Sequence, residues 1–276
     1  FLVSPVAGIA KDEVIDPTPL ARAIKDTYLG DPELANLPRK FKTAITGSPS
    51  LDILHEINDV SFVGVNNPEL GPGYDLWVAG ALSTAPRLGQ RLGAFVTPED
   101  ALDVWYGVIR IFRDYGYRRL RHKARLKFLM AEWGPERFRQ VRQDDYLGRA
   151  LPDGPAPEEP SGDSDHIGVH EQKDGRFWVG AKPPVGRLSG DVLRGLADLA
   201  GRVRSDRVRT TPLQNLLLLD VPAEKVDDAV AGLHELGLDP DPGAFTRSTL
   251  ACTGLEFCKF APVETKKLAA RVSARL

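Results

Sequence analysis

Two cysteines six positions apart are the side chains in this sequence best suited to bind a metal. Cys252 and Cys258 are the only cysteines among the 276 residues. Gly254 lets the backbone turn so that both sulfurs can face one centre, and a helix expected to begin near Pro262 would direct its positive end at an anionic cluster. A zinc ion or an iron–sulfur cluster needs four ligands, and cysteines are also common as small buried apolar residues. The spacing alone leaves ligation and burial both open.

Two lysines form the second candidate group. Lys40 and Lys42 lie in a segment, Lys40–Ile45, whose alternation of polar and apolar residues is typical of a β-strand. Residues i and i+2 of a strand share a face, so we expect both ammonium groups on one side with Phe41 packed behind them. Such a pair can bind a small oxyanion and deliver protons to it. The ordinary alternative is an exposed basic strand edge.

The composition favours a globular protein of two domains. Hydrophobic residues make up 42% of the chain, the net charge is −2, and no apolar run approaches the roughly 20 residues that span a bilayer. We therefore expect no nucleic-acid partner and no membrane partner. Two cysteines fit a reducing cytoplasm. The chain begins without Met or a signal pattern, as the interior of a larger chain would.

The first half of the sequence mixes strands with helices. Strands are predicted at Lys40–Ile45, Asp59–Val65 and Leu76–Gly80. A helix is predicted behind Thr97, where an N-cap residue, a proline and two acids follow one another. A second helix is predicted from about Leu120 to Trp133. We expect its basic face to be exposed to solvent; it carries Arg118, Arg119, Arg121, Lys123, Arg125 and Lys127.

A linker rich in Pro, Gly and acidic residues, 149–165, separates this half from a compact second pattern. That pattern is β-β-α-β-α, which is similar to part of a ferredoxin-like sandwich. The predicted elements are strands at Ile167–His170 and Arg176–Ala181, a helix at Asp191–Ala200, a strand at Asn215–Val221, and a helix from Pro222 to about Gly237.

The residues around the cysteines resemble a known motif. Thr249–Lys259, followed by Glu264-Thr265-Lys266, is very similar to the first cysteine motif of the sirohaem-dependent assimilatory sulfite and nitrite reductases. In that family C-x5-C is followed by C-x3-C, and the four thiolates bind a [4Fe–4S] cluster whose last cysteine bridges to the sirohaem iron. The resemblance implies that Cys252 and Cys258 are cluster ligands. The second pair would follow Leu276, so the sequence reads as a fragment lacking both ends of the family's chain.

The resemblance also implies roles for the lysines and for one polar segment. Pro38-Arg39-Lys40-Phe41-Lys42 matches the K-x-K segment that contacts the substrate in sulfite reductases, where nitrite reductases typically carry Asn in the second position; Lys42 therefore favours sulfite. Val208–Asn215 resembles the R-x-T-x-x-Q-N element of the ferredoxin-like half-domain. Sirohaem carries eight carboxylates, so the expected cofactor contacts are Arg209, Thr211, Gln214 and Asn215. Capping and strand-edge hydrogen bonds are the alternative for these side chains.

The resemblance predicts an α+β fold from a family built by a pseudo-twofold duplication. The sequence shows a trace of this repeat, because Phe1–Gly8 corresponds to Leu250–Cys258 but contains no cysteine. The predicted domains are a first sirohaem/[4Fe–4S] half-domain at 1–148, a ferredoxin-like half-domain at 166–240, and the start of the second sirohaem half-domain at 241–276. The implied enzyme is an oxidoreductase that reduces sulfite to sulfide with six electrons from ferredoxin. Ferredoxin-nitrite reductase is the nearer alternative, and a cofactor-free binding or assembly protein is the alternative from another class.

Overall fold

The computed structural model describes residues 1–83 and 85–275, which form two compact units. Unit 1 comprises residues 1–8 and 12–162. Unit 2 comprises residues 9–11 together with the chain from residue 163 onward. The short stretch 9–11 belongs to unit 2 because Ala10 forms an antiparallel bridge with Gln172, and the N–H of Lys173 donates to the carbonyl of Ile9 at 2.9 Å.

Unit 1 is built on a mixed five-stranded sheet. The strands lie in sequence order and are β1 (Leu2–Val3), β2 (Thr43–Thr46), β3 (Val60–Asn67), β4 (Gly71–Val78) and β5 (Gln90–Val96). Strand β2 pairs parallel with β1 and β3, and β4 pairs antiparallel with β3 and β5. Strand β2 is buried along its whole length, as is usual for a strand inside a parallel layer.

Three helices cover this sheet: α1 (Thr18–Tyr28), α2 (Ala101–Tyr115) and α3 (Leu126–Val141). Helix α2 places Val104, Val108 and Phe112 in the core at helical spacing, and all three are fully buried. The predicted helix Leu120–Trp133 starts too early, because residues Arg121–Lys123 form a short 3-10 turn. The predicted stop at Gly134-Pro135 is a kink instead: Gly134 has φ 74°, and the helix resumes behind it.

Unit 2 contains a four-stranded antiparallel sheet covered by two helices. In chain order the elements are β6 (Gly168–Glu171), β7 (Phe177–Ala181), α4 (Gly190–Arg202), β8 (Val208–Thr210), β9 (Leu216–Val221) and α5 (Val226–Glu235), and the strand order is β6-β7-β9-β8. The predicted strands and the first predicted helix lie within one or two residues of these bounds, whereas the helix predicted from Pro222 begins as α-helix only at Val226, because Ala223–Lys225 form a 3-10 turn. Strand β8 was not predicted, because three residues with one apolar side chain give no periodic signal.

The core of unit 2 forms where α4 and α5 pack on the central strands. Leu196, Leu199 and Leu233 meet Leu216 and Leu218, and none of the five is more than 3% exposed. Two short helices follow, α6 (Ala244–Ser248) and α7 (Lys266–Ser273). The helix expected near Pro262 therefore begins four residues later.

Within the described ranges 1–83 and 85–275, no helix combines the length and apolar character that crossing a membrane requires.

Candidate anion and cofactor site

The two candidate lysines lie just before β2 rather than in it. The strand predicted from Lys40 begins only at Thr43, so Lys40 and Lys42 occupy an irregular segment. Phe41 anchors this segment, because its ring packs against Phe112 and Trp105 of α2 with centroid distances of 5.8 and 6.3 Å. The lysine segment is therefore attached to the unit 1 core at its middle residue.

A cationic cavity of about 440 Å³ opens beside this segment in unit 1. Its described lining contains no acidic residue and consists of Arg39, Lys40, Leu82, Ser83, Arg121, His122, Arg125, Lys127 and Phe128. Five side chains that are cationic at neutral pH thus surround one space. Clefts lined by one sign of charge concentrate ligands of the opposite sign, so this cavity is suited to an anion with several negative groups.

Two residues of the cavity were assigned to solvent by the sequence, and that prediction is wrong. Arg125 is only 8% exposed and Lys127 only 2%. The ammonium of Lys127 donates to the carbonyls of Leu82 and Ala85 at 3.1 and 2.8 Å, and burial lowers its pKa. The error arose because the basic run begins in a non-helical turn, so a helical projection assigned these residues to the wrong face. Lys127 therefore holds the neighbouring loop that forms one wall of the cavity.

Lys42 has different surroundings from Lys40. Its ammonium donates to the carbonyl of Ile57, and its backbone N–H donates to Asp59 Oδ2 at 2.8 Å. Burial lowers the pKa of Lys42; Asp59 opposes this shift, and the charges of Arg125 and Lys40 add to it. Lys40 lines the cavity, whereas the Lys42 ammonium is turned toward the main chain in this conformation.

The cysteine loop lies in unit 2. Cys252 is exposed, Cys258 is half-buried, and both are free thiols. Gly254 between them, at which the sequence predicted a turn of the backbone, has φ 63°, a left-handed conformation that favours glycine. Hydrogen bonding with the Gly254 backbone, and next with the Thr265 side chain, lowers the pKa of Cys252, and the Lys266 charge adds to this effect. The thiolate of Cys252, which is the form that binds metal, is therefore more accessible in this loop than in an unperturbed cysteine.

The polar side chains expected to contact the cofactor include Thr211, Gln214 and Asn215, which hydrogen-bond within unit 2. Thr211 Oγ1 accepts from the N–H groups of Leu213 and Asn215, both at 3.2 Å. The Asn215 amide donates to the carbonyl of Asp165 at 3.0 Å. Gln214 donates to the carbonyl of Ala251 at 2.7 Å. Arg209 is half-buried on β8. In this structure these amide and hydroxyl groups brace the turn before β9.

Comparisons with known proteins agree on one family. The sequence profile described as "Nitrite and sulphite reductase 4Fe-4S domain" matches residues 1–151, and "Nitrite/Sulfite reductase ferredoxin-like half domain" matches residues 170–236. The chain belongs to the nitrite and sulphite reductase family. The predicted α+β fold with its two kinds of half-domain is thereby confirmed.

Individual relatives support the same family. A sulfite reductase [ferredoxin] of Mycolicibacterium paratuberculosis is 52% identical over 96% of this chain and 48% of its own length. An assimilatory ferredoxin-dependent nitrite reductase of Haloferax mediterranei is 36% identical over 97% of this chain and 48% of its own length. The solved NirA protein of Mycobacterium tuberculosis superposes with a TM-score of 0.96 at 51% identity, covering all of this chain and 50% of that one. The chain spans about half the length of the curated relatives it matches.

The side chains present fit part of what this family's cofactors require. The cationic lining of the unit 1 cavity fits the carboxylates of a sirohaem, since arginine and lysine are the usual partners of such groups. Cys252 and Cys258 supply two thiols of the four that a [4Fe–4S] cluster takes. Across residues 1–83 and 85–275, no three His, Cys, Asp or Glu side chains are grouped to hold a metal ion. Two thiols are half the number of ligands that such a cluster takes.

Proposed function

We propose that this chain contributes the substrate-binding lysines and one cysteine pair of a ferredoxin-dependent sulfite reductase. The observation that carries the proposal is the cationic cavity beside the Lys40–Lys42 segment, in a chain 52% identical to enzymes named sulfite reductase [ferredoxin]. The reaction is HSO3⁻ + 6 e⁻ + 6 H⁺ → HS⁻ + 3 H2O. Ferredoxin is the proposed electron donor, because the relatives' names specify it.

In this proposal each group has a defined task. Sirohaem and the [4Fe–4S] cluster supply the redox chemistry when bound. Arg39 and Arg121 would hold sirohaem carboxylates, while the Lys40 ammonium would bind the substrate oxyanion. Lys42, whose pKa is lowered by burial, releases a proton more readily than an exposed lysine does. Cys252 and Cys258 would hold two irons of the cluster.

The proposal predicts that Lys42→Asn impairs sulfite reduction more than nitrite reduction. The test uses the full-length reductase, meaning this sequence in a polypeptide of the length of its relatives, loaded with both cofactors. We expect kcat/KM for sulfite to fall at least tenfold, on the order of 1.4 kcal/mol or more, while kcat/KM for nitrite changes less than threefold. Steady-state assays with reduced ferredoxin give both values.

Lys25→Asn is the matched control, because Lys25 is an exposed lysine on α1 and lies outside the cavity lining. It should alter neither activity. If Lys42→Asn leaves sulfite turnover intact, or lowers both activities equally, the assignment of sulfite specificity to Lys42 is wrong.

Nitrite reduction is the second candidate, because relatives 36% and 37% identical to this chain are named ferredoxin-dependent nitrite reductases. A ratio of kcat/KM values that favours nitrite in the unmodified full-length reductase would select it. A cofactor-free binding protein is the remaining alternative. A visible spectrum of the full-length reductase distinguishes it, since sirohaem bands are expected only where the cofactor binds.

A further inference from the structure

One buried carboxylate fixes the backbone of the lysine segment. Asp59, immediately before β3, is 0% exposed. Its Oδ2 accepts the backbone N–H of Lys42 at 2.8 Å, and its own N–H donates to the Lys42 carbonyl at 3.0 Å. Asp59 therefore bonds to both the N–H and the C=O of Lys42, and the same C=O also accepts the N–H of Val60 at 3.1 Å. Any shift of Asp59 moves the backbone that carries the candidate lysine.

The same carboxylate holds a cationic wall of the cavity. Arg125 Nη2 donates to Asp59 Oδ2 at 2.8 Å and to Oδ1 at 3.0 Å, and Arg125 Nε lies 3.3 Å from Oδ1. Burial raises the pKa of Asp59, and the Arg125 charge opposes that shift. An ion pair buried this deeply adds little net stability, because desolvation of both charges offsets their attraction, but such pairs can define one geometry.

We propose that Asp59 is a positioning residue that holds the Lys40–Lys42 segment in register with Arg125 and so sets the geometry in which the cavity binds its anion. The expected effect of Asp59 on catalysis rests on the function proposed above, whereas its expected effect on the backbone of Lys42 does not. Asp59 is not itself a cavity-lining residue, so it acts through Lys42 and Arg125. The contact with Lys42 alone, or with Arg125 alone, would not set this geometry, because the first fixes the lysine segment and the second fixes a cationic wall of the cavity.

The charge of Asp59 makes the expected effect distinctive. Asp59→Asn preserves shape but removes one negative charge from beneath a cationic cavity. Attraction of an anion should stay equal or increase, whereas the alignment of lysine and arginine is lost. We therefore expect kcat to fall while KM does not rise, a separation that general destabilisation would not produce.

Asp75→Asn is a closely matched control. Asp75 is also 0% exposed, lies in unit 1 and accepts from an arginine, Arg91, at 2.8 Å. Burial raises its pKa as it does that of Asp59. Neither Asp75 nor Arg91 lines the cavity. The two variants therefore change the same kind of buried pair, and only one of them lies beneath the proposed site.

The structural arm measures amide hydrogen exchange at Lys42 by NMR in the full-length polypeptide. We expect exchange at Lys42 to accelerate at least tenfold in Asp59→Asn, with the Arg125 Nε–H signal shifted, and neither to change in Asp75→Asn. Unchanged exchange in Asp59→Asn would overturn the proposal whatever the enzyme does. Should Asp59→Asn fail to fold, Asp59→Asn combined with Arg125→Gln removes both charges and should show the same acceleration.

The kinetic arm uses the full-length reductase loaded with both cofactors. We expect Asp59→Asn to lower kcat for sulfite at least tenfold with KM no more than doubled, and Asp75→Asn to change neither value more than twofold. The positioning role would be overturned if the two variants had equal effects, or if the fall in kcat came with a matching rise in KM. If the unmodified enzyme reduces no sulfite, the proposed function fails, while the exchange result still decides the structural claim.

Discussion

At the scale of single residues, unit 1 contains a buried acid whose charge is energetically costly. Asp75 accepts from Trp77 Nε1 and from Arg91 Nε, both at 2.8 Å. Burial nevertheless raises its pKa to about 6, and these two hydrogen bonds together with the Arg91 charge only partly offset that effect. The ionised form of Asp75 is thus less favourable in the folded protein than in the unfolded chain.

This shift predicts a pH dependence with a defined sign. Between about pH 4 and the folded pKa of about 6, the folded protein binds more protons at Asp75 than the unfolded chain does. The contribution of Asp75 to the free energy of unfolding therefore falls as the pH rises through this range, and it is constant at pH values above the folded pKa. The free energy of unfolding of the wild type minus that of Asp75→Asn should be larger at pH 4.5 than at pH 7.5, on the order of 1–3 kcal/mol.

Urea unfolding of both proteins at the two pH values measures this difference, and subtraction cancels the titration of all other groups. A difference that is the same at both pH values, or larger at pH 7.5, would contradict the raised pKa.

At the scale of elements, predictability followed the strength of the periodic signal. Helix α2 and strand β9 carry long apolar patterns that tertiary packing reinforces, so their sequences were sufficient. The Lys40–Ile45 alternation was misleading, because the strand begins at Thr43 and Phe41 packs on α2 instead of extending the sheet. Lys127 was missed because no local pattern indicates that three loop carbonyls will surround an ammonium group. That interaction joins residues more than forty positions apart.

The turn between β8 and β9 holds the start of the cysteine loop. Gln214 has φ 63°, and its side-chain amide mimics a strand partner: Nε2 donates to the carbonyl of Ala251 at 2.7 Å, and Oε1 accepts the N–H of Ala251 at 3.3 Å. Ala251 directly precedes Cys252. The start of the thiol loop is therefore held by a glutamine 37 positions earlier, together with Lys266, whose ammonium donates to the same Ala251 carbonyl at 3.0 Å.

We expect Gln214→Ala to loosen this loop. Two hydrogen bonds of about 0.5–1.5 kcal/mol each are lost, so amide exchange at Ala251 should accelerate roughly 5- to 160-fold. Hydrogen exchange followed by NMR measures it. Gln140→Ala, at an exposed glutamine of α3, is the control and should leave Ala251 unchanged. Equal protection of Ala251 in both variants would show that the loop is held by other contacts.

At the scale of the whole molecule, the candidate chemistry is divided between the two units. Lys40 and the cationic cavity belong to unit 1, and both cysteines belong to unit 2. We propose that the segment 149–165 is the linker between the half-domains. Its first part still bonds to unit 1, because Asp153 pairs with Ala94 and the N–H of Gly154 donates to the Gly93 carbonyl. Residues 155–160 form neither helix nor strand, and behind them the N–H of Ser161 donates to the Pro49 carbonyl at 3.1 Å.

Limited proteolysis tests this linker. A glutamate-specific protease at low ratio should cut first after Glu158, which is exposed and is not followed by proline, before it cuts after glutamates in helices such as Glu235. Mass spectrometry of the early products identifies the site. The double variant Glu158→Gln with Glu159→Gln should resist this first cut at least tenfold. First cleavage elsewhere would place the boundary outside 149–165.

The contribution of residues 9–11 to unit 2 has a genetic consequence. Unit 2 is encoded by two separated stretches, because Ala10 pairs with Gln172 and Lys11 forms an ion pair with Glu171 at 2.6 Å. A gene segment that starts at codon 163 would omit these partners of the β6–β7 hairpin. A single crossover between related genes would combine residues 9–11 of one parent with the hairpin of the other. Exchange of an intact unit 2 requires recombination at more than one point, so inherited variation at positions 9–11 and 171–173 should remain linked.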